Sequence, residues 1–105
     1  MNETIIQYQK AVEIKPDFAE AQNNLGLTLH EQGRLDEAEA TLRQALRLDP
    51  SADNHYYLAA CLMSLGRDEE ALAELQIAST LNPTQTLYRA RMDELRKLMQ
   101  ANSSR

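Results

Sequence analysis

The segment Gly33–Pro50, GRLDEAEATLRQALRLDP, is answered thirty-three residues later by Gly66–Pro83, GRDEEALAELQIASTLNP. Gly33 returns as Gly66, Arg34 as Arg67, Ala38 as Ala71, Leu42 as Leu75, Ala45 as Ala78 and Pro50 as Pro83. Self-similarity at a period of roughly twenty to fifty residues marks a stacked array, in which each unit buries its apolar face against its neighbours. No other feature limits the chain as much. Such an array builds a surface more readily than a chemical site.

The punctuation of the repeat sets its secondary structure. Pro16, Pro50 and Pro83 lack an N–H and clash with a preceding helical turn, so they end helices. Gly33 and Gly66 can take the left-handed conformation that closes one. Asp17 with Glu20, and Asp36 with Glu39, have the spacing of a capping residue and its reciprocal partner. Between the breaks, apolar residues keep helical spacing, as in Leu35, Ala38, Leu42, Ala45 and again Leu58, Leu62, Leu65. These signals predict helices over 2–15, 18–32, 36–48, 52–65, 69–81 and 85–100. The loops are short enough to permit only antiparallel neighbours, so the expectation is a row of helical hairpins.

These residues resemble a known family. In the tetratricopeptide repeat, a helix–turn–helix of about thirty-four residues follows the pattern W-x2-L-G-x2-Y…A-x3-F…P. Gln22, Leu25, Gly26, Leu29, Ala38, Leu42 and Pro50 stand at those places, and then His55, Leu58, Ala59, Leu62, Ala71, Leu75 and Pro83. Small residues at Gly26, Ala59, Ala38 and Ala71 let two helices approach closely while larger ones fill the space between. Tyr8, Ala11 and Pro16 lie thirty-four residues before Leu42, Ala45 and Pro50, so the chain opens on the second helix of an incomplete repeat.

The resemblance, to bacterial tetratricopeptide proteins in particular, implies an all-α right-handed superhelical array of antiparallel hairpins, an α-solenoid. The expected organisation is one domain over 1–105. It comprises a half repeat (1–16), two repeats (17–50 and 51–83), a C-terminal capping helix (84–101) and a tail (102–105). The capping helix carries its apolar stripe on Tyr88, Met92, Leu95 and Met99.

Composition narrows the function classes. A net charge of −5 disfavours nucleic acid, whose phosphates are neutralised by Lys and Arg. MNETIIQYQK has no basic n-region and no apolar run of signal length, and no stretch is long enough to span a bilayer. The single Cys61 fits a reducing compartment, so the expected location is cytoplasmic. Two His and one Cys make no recognised ligand spacing, which leaves metals and cofactors without a seat. His30 and His55 stand on different repeats with no dyad partner at a telling spacing. His55 reads as packing and Cys61 as a small buried filler. An enzyme is not expected.

What remains is a surface. In tetratricopeptide arrays the first helices line a concave groove that holds a peptide or helix of a partner. Mapped onto this chain, the groove positions are Glu20, Asn23, Asn24, Leu27, His30 and Glu31, then Asp53, Tyr56, Tyr57, Ala60, Met63 and Ser64. Asn23, Asn24, Leu27, His30, Tyr56, Tyr57, Ala60 and Met63 are the expected partner contacts. Glu20, Glu31 and Asp53 suit a partner with basic and apolar residues.

A clamp for a terminal carboxylate would need Lys and Asn where Asn23 and Leu27 stand. The stretch AEAQNNLGLTLHEQGRLDEA is similar to repeats of the O-GlcNAc transferase superhelix, where stacked Asn side chains grip a peptide backbone. Asn24 matches that ladder, and Tyr57 takes its place in the next repeat. The alternatives are a segment of a longer enzyme or scaffold, or a self-assembly module. In the latter, part of the apolar stripe of the uncovered first helix, including Ile5 or Ile6, would face water and meet a second copy as a homodimer.

Overall fold

The computed structural model describes Ile5, Gln7, Gln9 and residues 19–103. Among them lie five helices: α1 (Ala19–Glu31), α2 (Leu35–Leu48), α3 (Ala52–Ser64), α4 (Asp68–Leu81) and α5 (Thr86–Ser103). Ile5, Gln7 and Gln9 are also helical, and the rest of the helix expected over 2–15 lies outside the described residues. No strand occurs among the described residues. The fold is the expected all-α class of helical hairpins. The chain divides into two compact units, residues 1–50 and 51–105, at the repeat boundary after Pro50.

In the first unit α1 and α2 form a hairpin around Leu25, Leu29, Ala38, Leu42 and Ala45, none more than 8% exposed. Gly26 lies inside this seam: a Cβ built on it would come within 2.6 Å of both Cγ and Cδ2 of Leu42. Only a residue without a side chain lets the two helices sit this close. The turn between them closes on Gly33, whose φ is +78°. Gly33 N–H donates to the carbonyl of His30 at 3.0 Å, and Arg34 N–H to that of Leu29 at 2.9 Å. These are the paired bonds that satisfy the last carbonyls of a helix.

Ile5 is completely buried. Of the two residues expected to leave part of the first helix's apolar stripe facing water, Ile5 or Ile6, Ile5 is therefore not the exposed one. Burial of an Ile is worth roughly 1.5–3 kcal/mol, and the chain takes that gain internally. Ile6 lies outside the described residues.

The second unit repeats the hairpin with α3 and α4 and adds α5. Gly66 has φ +77°, and its turn reproduces the same two bonds: Gly66 N–H to Met63 at 3.0 Å and Arg67 N–H to Leu62 at 2.9 Å. Leu58, Ala59, Cys61, Leu62, Ala71, Leu75 and Ala78 are all fully buried. Tyr88, Met92 and Leu95 of α5 are at most 5% exposed, and Met99 is half-buried. α5 runs to Ser103, beyond the expected helix end at residue 100.

Helix starts differ from expectation in one respect. Asp36 does not cap α2; the helix begins earlier, at Leu35, with Arg34 in the cap position. Arg34 donates through Nε and a terminal nitrogen to both carboxylate oxygens of Glu37, at 3.1 and 2.6 Å. Arg67 grips Glu70 the same way at 3.0 and 2.8 Å. Asp36 and Glu37, like Asp68, Glu69 and Glu70, then sit in the first turn, where negative charge offsets the helix dipole. The side chain that does cap is Ser51, which accepts a bond from Asn54 N–H at 3.2 Å. Asp17 lies outside the described residues.

Candidate functional site

Helical spacing places Asn23, Asn24, Leu27 and His30 together on one face of α1 in the first unit. All four are half-buried. Thr28 returns its hydroxyl to the carbonyl of Asn24 at 2.9 Å, tying that side chain to its own helix. Asn23 presents a buried Oδ1 that accepts no hydrogen bond. An acceptor removed from water without a donor costs about 1–3 kcal/mol, so this side chain is held in place by the fold at some expense.

Helical spacing likewise sets Tyr56, Tyr57, Ala60 and Met63 on one face of α3 in the second unit, again half-buried. Here the side chains form a cluster. The rings of Tyr56 and Tyr57 meet edge to face, with centroids 5.9 Å apart at 62°. Tyr56 also packs against Tyr88 of α5, at 5.4 Å and 41°. Each such aromatic pair contributes about 0.5–1.5 kcal/mol beyond the area it buries.

Tyr88 donates its hydroxyl to Oδ1 of Asp53 at 2.8 Å, joining α5 to the first turn of α3. Burial first, then that hydrogen bond and the charge of Asp53, push the Tyr88 phenol up to about 12. Burial, followed by the charges of Asp53 and Tyr56, raises Tyr57 as well. Tyr56 also meets Arg91. Its guanidinium is held above its ordinary range by hydrogen bonding to Tyr56 and then to Glu94, whose carboxylate it meets at 3.0 Å.

His55 is mostly buried, as packing at this repeat position requires, but it also makes a polar contact. Its Nδ1 lies 3.1 Å from Oε1 of Glu74, joining α3 to α4. Cys61 is buried, in keeping with a filler. Among the described residues no three His, Cys, Asp or Glu come together as metal ligands, and no helix is long and apolar enough to cross a membrane.

Tyr88, Arg91 and Glu74 were not among the expected site residues. A signal for Tyr88 existed: Gln22, His55 and Tyr88 stand at successive intervals of thirty-three residues. All three fill the aromatic packing place of the repeat, which identifies α5 as the first helix of a further period. Arg91 and Met92 replace Leu58 and Ala59 there, which breaks the small-residue pattern.

With this geometry in hand, comparison with known families is decisive. Residues 2–33 match the family described as TPR repeat, and residues 19–51 and 36–85 match tetratricopeptide repeat families. The chain belongs to the tetratricopeptide repeat family.

Among solved structures, a thermophilic tetratricopeptide protein of Thermus thermophilus is similar, with 31% identity and a TM-score of 0.81 over 87% of this chain and 47% of its own. The O-GlcNAc transferase of Thermobaculum terrenum matches with 30% identity and a TM-score of 0.82, over 87% of this chain and 18% of that one. The chain thus spans less than two thirds of either. The first tetratricopeptide domain of Spaghetti (RPAP3), bound to the HSP90 peptide SRMEEVD, has a TM-score of 0.85 but 18% identity, over 90% of this chain and 76% of that one; this is a likeness of fold. No curated protein matches the chain in sequence. Tetratricopeptide repeats typically serve protein–protein interaction.

Proposed function

We propose that this chain is a non-catalytic interaction module that holds a peptide or helix of a partner protein against the first helices of its repeats. The observation that carries the reading is the tyrosine pair on α3. Tyr56 and Tyr57 are half-exposed, share a helix face with Ala60 and Met63, and meet edge to face, with Tyr56 braced in turn by Tyr88. A large aromatic surface held rigid before binding loses little entropy on contact, which is why such residues dominate binding energy.

The α1 residues Asn23, Asn24, Leu27 and His30 supply the corresponding contacts in the first unit. The net charge of −5 favours a partner segment with basic as well as apolar residues, bound less tightly as salt rises. The carboxylate-clamp mode is disfavoured, since Asn23 and Leu27 occupy its places.

The test is replacement of Tyr56 and Tyr57 together by Ala, with affinity measured against a peptide selected on the wild-type protein. A loss of at least about 2 kcal/mol, some thirtyfold, with helicity unchanged supports the site. Unchanged affinity refutes it.

A further inference from the structure

We propose that the α3 face seats a single lysine side chain of the bound partner, its ammonium on Asp53 and its methylene stem against Tyr57. This assignment rests on the reading above and sharpens it. Asp53 is exposed, and among the described residues its one side-chain hydrogen bond is the one it accepts from Tyr88 through Oδ1, which leaves Oδ2 for another partner. No Lys, Arg or His of the described residues pairs with it. Arg91, which reaches the cluster, is committed to Tyr56 and Glu94. A carboxylate that interacts with two tyrosines, Tyr57 and Tyr88, and pairs with no cation of the described residues is an electrostatically incomplete group.

The tyrosines fit the missing partner. Tyr57 follows Asp53 by one helical turn, so the two side chains are neighbours on the surface. Among the described residues its ring meets one other ring, that of Tyr56, edge-on, and its hydroxyl bonds to none of them. An aromatic ring attracts a cation to its face, and a half-buried ring accepts the apolar stem of a long side chain. Tyr56 and Tyr88 form the wall behind.

Lysine fits better than arginine for a geometric reason. A guanidinium fork binds best with both carboxylate oxygens, and Oδ1 is already engaged by the Tyr88 hydroxyl. An ammonium needs one oxygen. The Tyr88 bond also fixes the carboxylate, so Oδ2 is presented in a set direction. An acidic residue at this position would otherwise serve only the helix dipole, a role that needs no tyrosines and selects no ligand.

The experiment uses n-butylammonium, n-butylguanidinium and neutral n-pentanol as probes, titrated into the whole chain and followed by NMR. The same titrations are run on Asp53→Asn, which still accepts from Tyr88. The expected result is saturable shifts centred on Asp53 and Tyr57. Butylammonium should bind about threefold more tightly than butylguanidinium, and the Asp53→Asn variant should lose about fivefold for the ammonium. Butylguanidinium binding more tightly overturns the choice of lysine. Shifts spread over all surface carboxylates, equal binding of pentanol, or no change in Asp53→Asn overturn the seat itself.

A second arm replaces each Lys of a selected peptide by norleucine. One replacement should weaken binding to the wild type and leave binding to Asp53→Asn unaffected; no such Lys overturns the proposal. The two readings separate cleanly. If the double tyrosine variant loses the peptide but no probe binds, the partner face stands and the lysine seat falls. If the probes bind but the tyrosine variant keeps the peptide, the partner face falls.

Discussion

Replacing Gly26 by Ala pits two effects of known size against each other. Alanine is the better helix former by about 1 kcal/mol, so on propensity alone the variant gains stability. Against that, the new methyl meets Leu42 Cγ and Cδ2 at 2.6 Å, about 0.8 Å short of ordinary van der Waals contact. Leu42 is 1% exposed, and Cγ is its branch point, so the clash is not relieved by swinging a flexible tip aside.

Overpacking of a filled core costs about 1–3 kcal/mol; Leu42 has no room to yield, so the steric effect wins, for a net loss of up to about 2 kcal/mol. Urea unfolding followed by circular dichroism measures it as a lower midpoint with an unchanged slope. The second unit provides the contrast. Ala59 holds the matching place there with its methyl fully buried, so Ala59→Gly should lose about 2 kcal/mol through both propensity and the void. If Gly26→Ala raises the midpoint instead, the first hairpin yields without cost and the close-approach reasoning is wrong.

Three further outcomes are expected. The Tyr88 phenol is held protonated up to about 12, above its unfolded value of 10.0, so its contribution is complete below pH 10.0 and is lost as pH rises through about 12; Tyr88→Phe should flatten that alkaline decline, read from urea midpoints beside tyrosinate absorbance. Gly33→Ala and Gly66→Ala meet no neighbour but must hold a Cβ at φ +78° and +77°, so each should cost about 1–2 kcal/mol in thermal unfolding, with Asn costing less. Asn23→Leu removes a buried acceptor that has no donor, and should raise stability by about 1 kcal/mol; a loss would show that the amide is satisfied in solution.

The helices and their turns were legible because their causes are local. Proline and glycine act within a few residues of themselves, so α1 to α4 end close to where Gly33, Pro50, Gly66 and Pro83 require. The core was legible because it is periodic: Leu42 and Leu75, Ala38 and Ala71 are buried in both units. Capping was harder to read. Asp36 and Glu39 have capping-box spacing, but Gly33 fixes the turn one step earlier and Arg34 takes the position, gripping Glu37.

The candidate site was legible only by face. Sequence spacing placed Tyr56 and Tyr57 on the outer stripe of α3, yet nothing local says that Tyr88 reaches Asp53 across thirty-five positions. The same holds for His55 and Glu74, nineteen apart. Such pairs are set by how helices dock, and docking is decided by the summed core rather than by any one motif. Ile5 shows the limit from the other direction. Counting the helices available to cover that first stripe left Ile5 or Ile6 facing water without deciding between them, and the folded chain covers Ile5 fully.

The tyrosine cluster also decides what light can report about this molecule. The chain has no Trp and four Tyr, of which Tyr56, Tyr57 and Tyr88 all belong to the second unit. Near-ultraviolet dichroism and phenol emission are therefore weighted toward that unit, whereas the far-ultraviolet amide signal sums the helices of both. Melting curves recorded in the two spectral windows superimpose if the units unfold as one cooperative body, and separate if each melts at its own temperature. The chain thus carries, without any label, a chromophore confined largely to one half of its repeats.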